Sequence, residues 1–305
     1  MDTLPNFPEF VKLSMDHKRT LRKIAERFPP YSDINFVSLF TWDTGGDIAL
    51  SNLNDNLIVR FSGYTDDDNF LSLLGDNKIP ETIDVLLDGC KKLGLKSELK
   101  LIGESVVDAI PLTDRDKYSI DEDRDNHDYI LSATNMSDIS SFHPKKRTKY
   151  NRFMNEQGEH ALCKELDLTS YQARTDIELL LKEWQHLRNK NDEDVKKEFE
   201  AIDRCLKNAE ELNILGYGTY IKDKLIAFTL FEVVHNKTAI LHFGKTHTGH
   251  VGANEHLQHK LAKYIASLGI ELMNNEQDLG IEGLRKSKES SRPVNFLKKY
   301  KISPR

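Results

Sequence analysis

Cysteine is scarce in this chain. Cys90, Cys163 and Cys205 are the three in 305 residues, far apart, odd in number and with no C-x-x-C pair. That pattern argues against a disulfide framework or a zinc site and fits a reducing compartment. Long hydrophobic runs are missing as well: none approaches the roughly 20 residues of a membrane helix. The opening residues M-D-T-L-P-N-F-P-E-F lack both the basic start and the apolar core of a secretory signal. A cytoplasmic protein is the expectation. Positive charge is not in excess either. Lys and Arg number 43 against 49 Asp and Glu, a formal net charge of −6. No general attraction to nucleic acid follows, so any basic surface must be local. His242, His247 and His250 fall close together, but no acid is spaced to join them, and no metal is expected.

What is present reads as a soluble α+β protein long enough for two domains. Residues 1–115 give a helix from Met15 to Phe28, a short helix within Ile34–Trp42, and hairpin strands Asp47–Leu53 and Asn56–Phe61 around Asn54-Asp55. A strand at Phe70–Leu74 follows. Pro80 then opens an amphipathic helix with Ile79, Ile83, Leu86, Leu87 and Cys90 at helical spacing, before a strand at Leu99–Ile102. Residues 116–128 are acidic and poor in apolar side chains, and read as a solvated linker. Residues 129–305 form the second block. A strand at Tyr129–Ser132 leads to a basic helix, then a strand and two long helices. Three strands in succession follow, Gly216–Lys222, Leu225–Val234 and Ala239–Lys245, and then a glycine-containing loop, a helix to Leu268 and a strand at Ile270–Asn274. The first block repeats this order in outline, so two lobes of like architecture are expected.

Chemistry concentrates in Asn275–Tyr300. Glu276, Asp278 and Glu282 lead into Arg285, Lys286 and Lys288, with Gly280 and Gly283 between. Arg285 and Lys288 are three apart, share a helix face and suit a phosphate or carboxylate. Glu276 and Asp278 suit acceptor positioning or proton removal. Asp278 reads equally as a helix cap, and Glu282–Lys286 as an i,i+4 surface pair. A second concentration is Lys145, Lys146, Arg147, Lys149 and Arg152, five cations with no acid among them, suited to a phosphate backbone or to a plain solvated face.

A three-strand meander followed by loop, helix and strand resembles the GNAT-type acyltransferase core. Three stretches go further: Y-S-D-I-N-F-V-S-L-F-T-W from residue 31, F-H-P-K-K-R-T-K-Y-N-R-F from residue 142, and E-Q-D-L-G-I-E-G-L-R-K-S-K from residue 276 with Pro293 and the closing L-K-K-Y. Together they resemble the C-terminal domain of phosphatidylglycerol lysyltransferases. The resemblance implies two tandem GNAT-like lobes, each a mixed, mainly antiparallel sheet flanked by helices, in a free-standing member without the flippase domain of the larger enzymes. It implies aminoacyl transfer from an aminoacyl-tRNA to an acceptor, with a phospholipid headgroup, a peptide or a small amine all open. Asp278 and Glu276 would then serve the acceptor. Arg285, Lys288, Lys145, Lys146, Arg147 and Arg152 would bind substrate.

Acetyl-CoA-using GNAT proteins hold pyrophosphate on an Arg/Gln-x-x-Gly-x-Gly/Ala loop before the helix. The corresponding loop here, T-H-T-G-H-V-G-A-N, has Thr246 in place of Arg or Gln and Val251 in place of a small residue. Gly249, Gly252 and Asn254 remain candidates for some anion. No cofactor is expected, with acyl-CoA and a non-catalytic phosphate- or RNA-binding module as the alternatives.

Overall fold

The computed structural model describes residues 4–62, 69–188 and 193–305. The chain begins with Val11–Lys12 (β1), Lys18–Ala25 (α1) and Phe36–Trp42 (α2). Asn35 starts α2, its Oδ1 accepting the N–H groups of Val37 at 2.7 Å and Ser38 at 3.3 Å, which satisfies two orphan donors. Ala49–Leu53 (β2), Asn56–Phe61 (β3) and Phe70–Leu74 (β4) are antiparallel neighbours. Asn54 and Asp55 join the first two with φ of 52° and 61°, the left-handed pair that a two-residue hairpin turn requires. Ile79–Lys92 (α3) leads to Leu99–Gly103 (β5), parallel to β4, and then to Glu104–Asp108 (α4), Leu112–Arg115 (α5) and Tyr118–Glu122 (β6).

The second run has Asp128–Ser132 (β7), Ala133–Met136 (α6), Pro144–Gln157 (α7), Ala161–Leu166 (β8), Tyr171–Arg188 (α8), Glu193–Lys207 (α9) and Ala209–Leu212 (α10). The meander follows as Leu215–Ile221 (β9), Lys224–Val234 (β10) and Thr238–Thr246 (β11). Ala253–Ser267 (α11), Leu272–Asn274 (β12), Glu282–Glu289 (α12), Asn295–Leu297 (β13) and Lys299–Pro304 (β14) complete the chain.

Two compact units result, each around its own sheet, and each repeats meander, helix and parallel strand. The first sheet runs β1-β2-β3-β4-β5-β14-β6, the second β8-β9-β10-β11-β12-β7-β13. In the first unit the apolar stripe of α3 (Ile79, Ile83, Leu86, Leu87, Cys90) packs with Leu71, Leu73, Leu99 and Ile102. In the second, Leu257, Leu261, Ala262 and Ile265 of α11 pack with Phe231, Ala239 and Leu131. Each such aliphatic side chain contributes roughly 1.5–3 kcal/mol on burial.

The units are not colinear with the sequence. The first comprises Met1–Asp128, Gln277–Ile281 and Phe296–Arg305, the second Tyr129–Glu276 and Glu282–Asn295. The expected division at a solvated linker over 116–128 does not describe this arrangement. That stretch contains β6, which pairs with β14. It also buries Asp123, His127 and Asp128. Asp123 and Asp128 are buried ion partners of Lys301 and Lys299, while Asp116, Asp121, Glu122 and Asp125 are exposed.

Inside the first unit lies an ionic cluster. Lys299 of β14 is fully buried, its Nζ donating to Asp33 and, at 2.7 Å, to Asp128. Ser32 donates to Asp128 from its N–H at 2.8 Å and its hydroxyl at 2.6 Å, and Gln277 Nε2 donates to Asp33 at 3.0 Å. Burial works against the Lys299 ammonium, but Asp128 and Asp33 outweigh it and raise its pKa above the ordinary lysine value.

Candidate active site

In the second unit β11 and β12 pair over a short span, Thr238–Ile240 with Leu272–Asn274. Beyond it they part: β11 continues to Thr246, while the chain after Asn274 turns away through Glu276 at a φ of 53°. The turn is pinned by backbone. Asn275 N–H donates to Tyr129 C=O at 2.9 Å, and Tyr129 N–H donates back to Glu276 C=O at 3.1 Å. The Glu276 N–H donates to Asn274 Oδ1 at 2.8 Å, and the Lys288 ammonium donates to the Asn275 carbonyl.

His242 stands in this fork. The β10–β11 register slips between Leu230↔Phe243 and Phe231↔Leu241, so His242 is the extra residue of a β-bulge. A bulge re-aims a side chain out of strict alternation. The His242 ring lies between two carboxylates, its Nε2 3.1 Å from Glu232 Oε1 and its Nδ1 3.1 Å from Glu276 Oε1. A ring with an acceptor at each nitrogen is best satisfied when both carry protons. Burial alone pushes the imidazole down, but the hydrogen bonds and charge of Glu232 and Glu276 more than reverse this and raise it to about 9. The His242 and Glu232 side chains are each 1% exposed and that of Glu276 19%, so Glu276 is the member that reaches solvent.

The helix N-terminus that would receive a pyrophosphate is covered by the protein itself. Gly252 caps α11 at a φ of 91°, and a Cβ there would come within 2.0 Å of the Lys149 carbonyl oxygen of α7. Glu255, buried in the first turn of α11, brings a carboxylate to the positive end of the helix dipole, and Lys149 Nζ approaches it at 3.5 Å. Gly249 is held by its N–H donating to His247 Nδ1 at 3.1 Å, and Asn254 is half-buried. The α7 backbone packs closely on Gly252 and a buried carboxylate stands in the first turn, so the start of α11 is crowded and carries negative charge, a poor fit for an acyl-CoA pyrophosphate.

The basic helix divides. Lys145, Arg147 and Arg152 are exposed on α7, with Arg152 2.7 Å from Glu156. Lys146, expected with them as a substrate contact, is buried instead. Its Nζ donates to Ser291 Oγ at 2.6 Å and Gln258 Oε1 at 3.1 Å. Burial lowers its pKa to about 8, with Glu255 opposing and Lys149 assisting. It is a core ammonium and does not present itself to a polyanion. His143 caps α7 by accepting the Lys145 N–H at 3.3 Å.

Asp278 is also placed otherwise than a catalytic acid requires. It belongs to the first unit and is fully buried, accepting the Gly280 N–H at 2.9 Å and Arg124 Nη1 at 3.2 Å. Both oxygens serve a turn and an ion pair. Arg285 and Lys288 lie half-buried on α12, while Lys286 pairs with Glu282 at the surface. The residues that sequence reasoning missed at the fork are Glu232 and the role of His242. Their signal is a charged or ionisable residue inside the apolar strands F-T-L-F-E-V-V and A-I-L-H-F. Cys163 Sγ lies 3.6 Å from His256 Nδ1 and 3.1 Å from Thr219 Oγ1. Burial raises the thiol and lowers the imidazole to about 4, which keeps both neutral and unlike an activated nucleophile.

A meander followed by a helix and a strand parallel to the meander's last member, present in both units, defines a tandem GNAT-like acyltransferase fold. Solved structures share it. A conserved protein of unknown function from Bacteroides thetaiotaomicron superposes with a TM-score of 0.83 at 23% identity, over 99% of this chain and 100% of that one. L-PGS from Bacillus licheniformis superposes with a TM-score of 0.61 at 14% identity, over 100% of this chain and 94% of that one. Within this class the chain belongs to the family described as phosphatidylglycerol lysyltransferase, C-terminal, which it matches over residues 25–303. Comparison with curated proteins gives no match. Among the described residues no helix is long and apolar enough to cross a membrane. Family and fold relate the chain to the acyltransferases.

Proposed function

We propose that this protein is an aminoacyltransferase that takes its acyl group from an aminoacyl-tRNA and passes it to an amine or hydroxyl acceptor at the β11/β12 fork of the second unit. The observation that carries this reading is the crowded, negatively charged start of α11. With Gly252 against the Lys149 carbonyl and Glu255 in the first turn, a pyrophosphate-bearing donor meets backbone and negative charge. A donor held by its nucleic acid elsewhere avoids that site. Exposed Lys145, Arg147 and Arg152 supply phosphate contacts for it.

The chemistry asks little of the protein. The acceptor attacks the ester carbonyl, the bond to the 3′ oxygen of the tRNA breaks, and the proton leaving the acceptor ends on that oxygen. Glu276 is suited to carry the proton. His242 engages its Oε1, which fixes the carboxylate and leaves Oε2 to accept. Lys288 and Arg285 are suited to a phosphate or carboxylate of the acceptor. Proximity of ester and nucleophile supplies much of the remaining rate.

The test is transfer of labelled amino acid from charged tRNA to phosphatidylglycerol vesicles, to a peptide and to small amines, with acyl-CoA as a parallel donor. Wild type transfers from tRNA, and Glu276→Gln, shown by its melting curve to be folded at the assay temperature, loses at least ~100-fold. Transfer from acyl-CoA alone, or no tRNA binding at low salt, refutes the reading. Binding without transfer to any acceptor marks a non-catalytic RNA-binding module.

A further inference from the structure

The first unit carries a basic surface that the chemistry-rich stretches do not include. Helix α1 reads K-R-T-L-R-K-I-A, with four cations and no acid in eight residues of a chain whose net charge is −6. Leu21 and Ile24 are buried and fix one face to the unit, and Phe28 just beyond is buried too. Arg19 and Lys23 are exposed, and Lys18 and Arg22 are half-buried beside them. These four side chains, with Glu26, line one open depression.

Pairs four apart on a helix lie about 6 Å apart along its axis. Lys18–Arg22 and Arg19–Lys23 therefore form two short parallel rows of positive charge on a rigid support. Every side chain lining the depression ends in a charged group. Among the described residues before Val85, no large hydrophobic side chain is exposed, so α1 offers nothing to insert between lipid chains. A preformed double row of cations without an apolar wedge matches a phosphodiester backbone, where neutralised phosphates release counterions. α1 also lies almost wholly before the segment matched to the family, which starts at residue 25.

We propose that α1 is a docking surface for the sugar-phosphate backbone of RNA, contacting phosphates without reading bases. The proposal shares its partner with the function above but stands on a different unit, and its test reads binding and not transfer.

Binding of an unacylated tRNA transcript is measured against salt for the full chain, for Arg19→Gln/Lys23→Gln, and for Lys145→Gln/Arg147→Gln. Melting curves establish that each variant is folded. With α1 as a contact surface, the first variant binds about tenfold more weakly near 100 mM salt, and its log–log salt slope falls by about two. A transcript of unrelated sequence and equal length shows the same loss, because phosphates and not bases are contacted. An α1 variant with wild-type affinity and slope overturns the proposal. If the α7 variant alone loses binding, the tRNA-donor reading stands and the α1 proposal falls; if the wild type binds no RNA at low salt, both fall. Sedimentation with phosphatidylglycerol vesicles gives the remaining arm. Lost vesicle binding with unchanged RNA binding in the α1 variant assigns the patch to a membrane surface and overturns the proposal.

Discussion

Replacing Lys299 by methionine removes an ammonium from between two buried carboxylates while keeping nearly the same volume. Asp33 and Asp128 are 1% and 0% exposed, so water replaces little of what is lost. Removing one partner of a buried ion group typically costs 3–5 kcal/mol, because the remaining charge stays buried. For a unit of this size that corresponds to a fall of ~10–15 °C in melting temperature. The pH dependence follows from the same charges. In the wild type Lys299 has its pKa raised, so its contribution is complete across neutral pH and is lost only in strong alkali. In Lys299→Met two like charges stay buried side by side without their counter-charge. Protonation then relieves the variant, and its deficit shrinks as pH falls from 7 toward 5. Denaturant melts of both proteins across that range measure the difference. Asp33→Asn/Asp128→Asn/Lys299→Met, which replaces the charges with neutral groups of similar shape, recovers most of the loss. A Lys299→Met protein within about 1 kcal/mol of wild type at pH 7, or a deficit that grows on acidification, would falsify the argument.

Gly252→Ala drives a methyl toward the Lys149 carbonyl at a φ that disfavours side chains, and is expected to cost ~2–3 kcal/mol in thermal or chemical melts; a neutral result shows that α7 yields easily. His242 has a folded pKa raised to about 9 against an unfolded value near 6.5. Its contribution is full below the lower value and disappears as pH rises through the upper one. The stability gap between wild type and His242→Gln therefore narrows from pH 6 to pH 10, and a widening gap contradicts the raised value. Lys146 acts in the opposite sense. Its folded pKa is lowered to about 8, so it favours the folded state increasingly as pH rises through 8, and Lys146→Met removes that rise from the pH–stability profile.

The periodic elements were legible because each has one apolar face. The meander of β9, β10 and β11, the stripe of α3 and the hairpin at Asn54-Asp55 all follow from local pattern. Position relative to the core was far less so for charged residues. In L-K-K-Y-K the sequence does not say which lysine turns inward, yet Lys299 is buried while Lys298 and Lys301 are not. In K-K-R the same holds for Lys146. Asp278 and Glu276 are two residues apart, and a left-handed turn at Glu276 sends one to the fork and the other to a buried ion pair. The bulge at His242 depends on cross-strand register, which no single segment encodes. Asp123 and Asp128 read as solvated like the exposed acids around them because their lysines, Lys301 and Lys299, lie 178 and 171 positions away (301 − 123, 299 − 128).

The placement of β14 has a consequence in time. It sits between β5 and β6, joining two strands that would otherwise each present an open edge. From Glu122 to Lys299 the ribosome must add 177 further residues (299 − 122), about 10–35 s of synthesis at ordinary bacterial and eukaryotic rates. During that interval the first sheet is divided, and its buried Asp33 and Asp128 lack the lysine that neutralises them. Closure of the first sheet therefore has to wait until β14 has been made and can enter between β5 and β6.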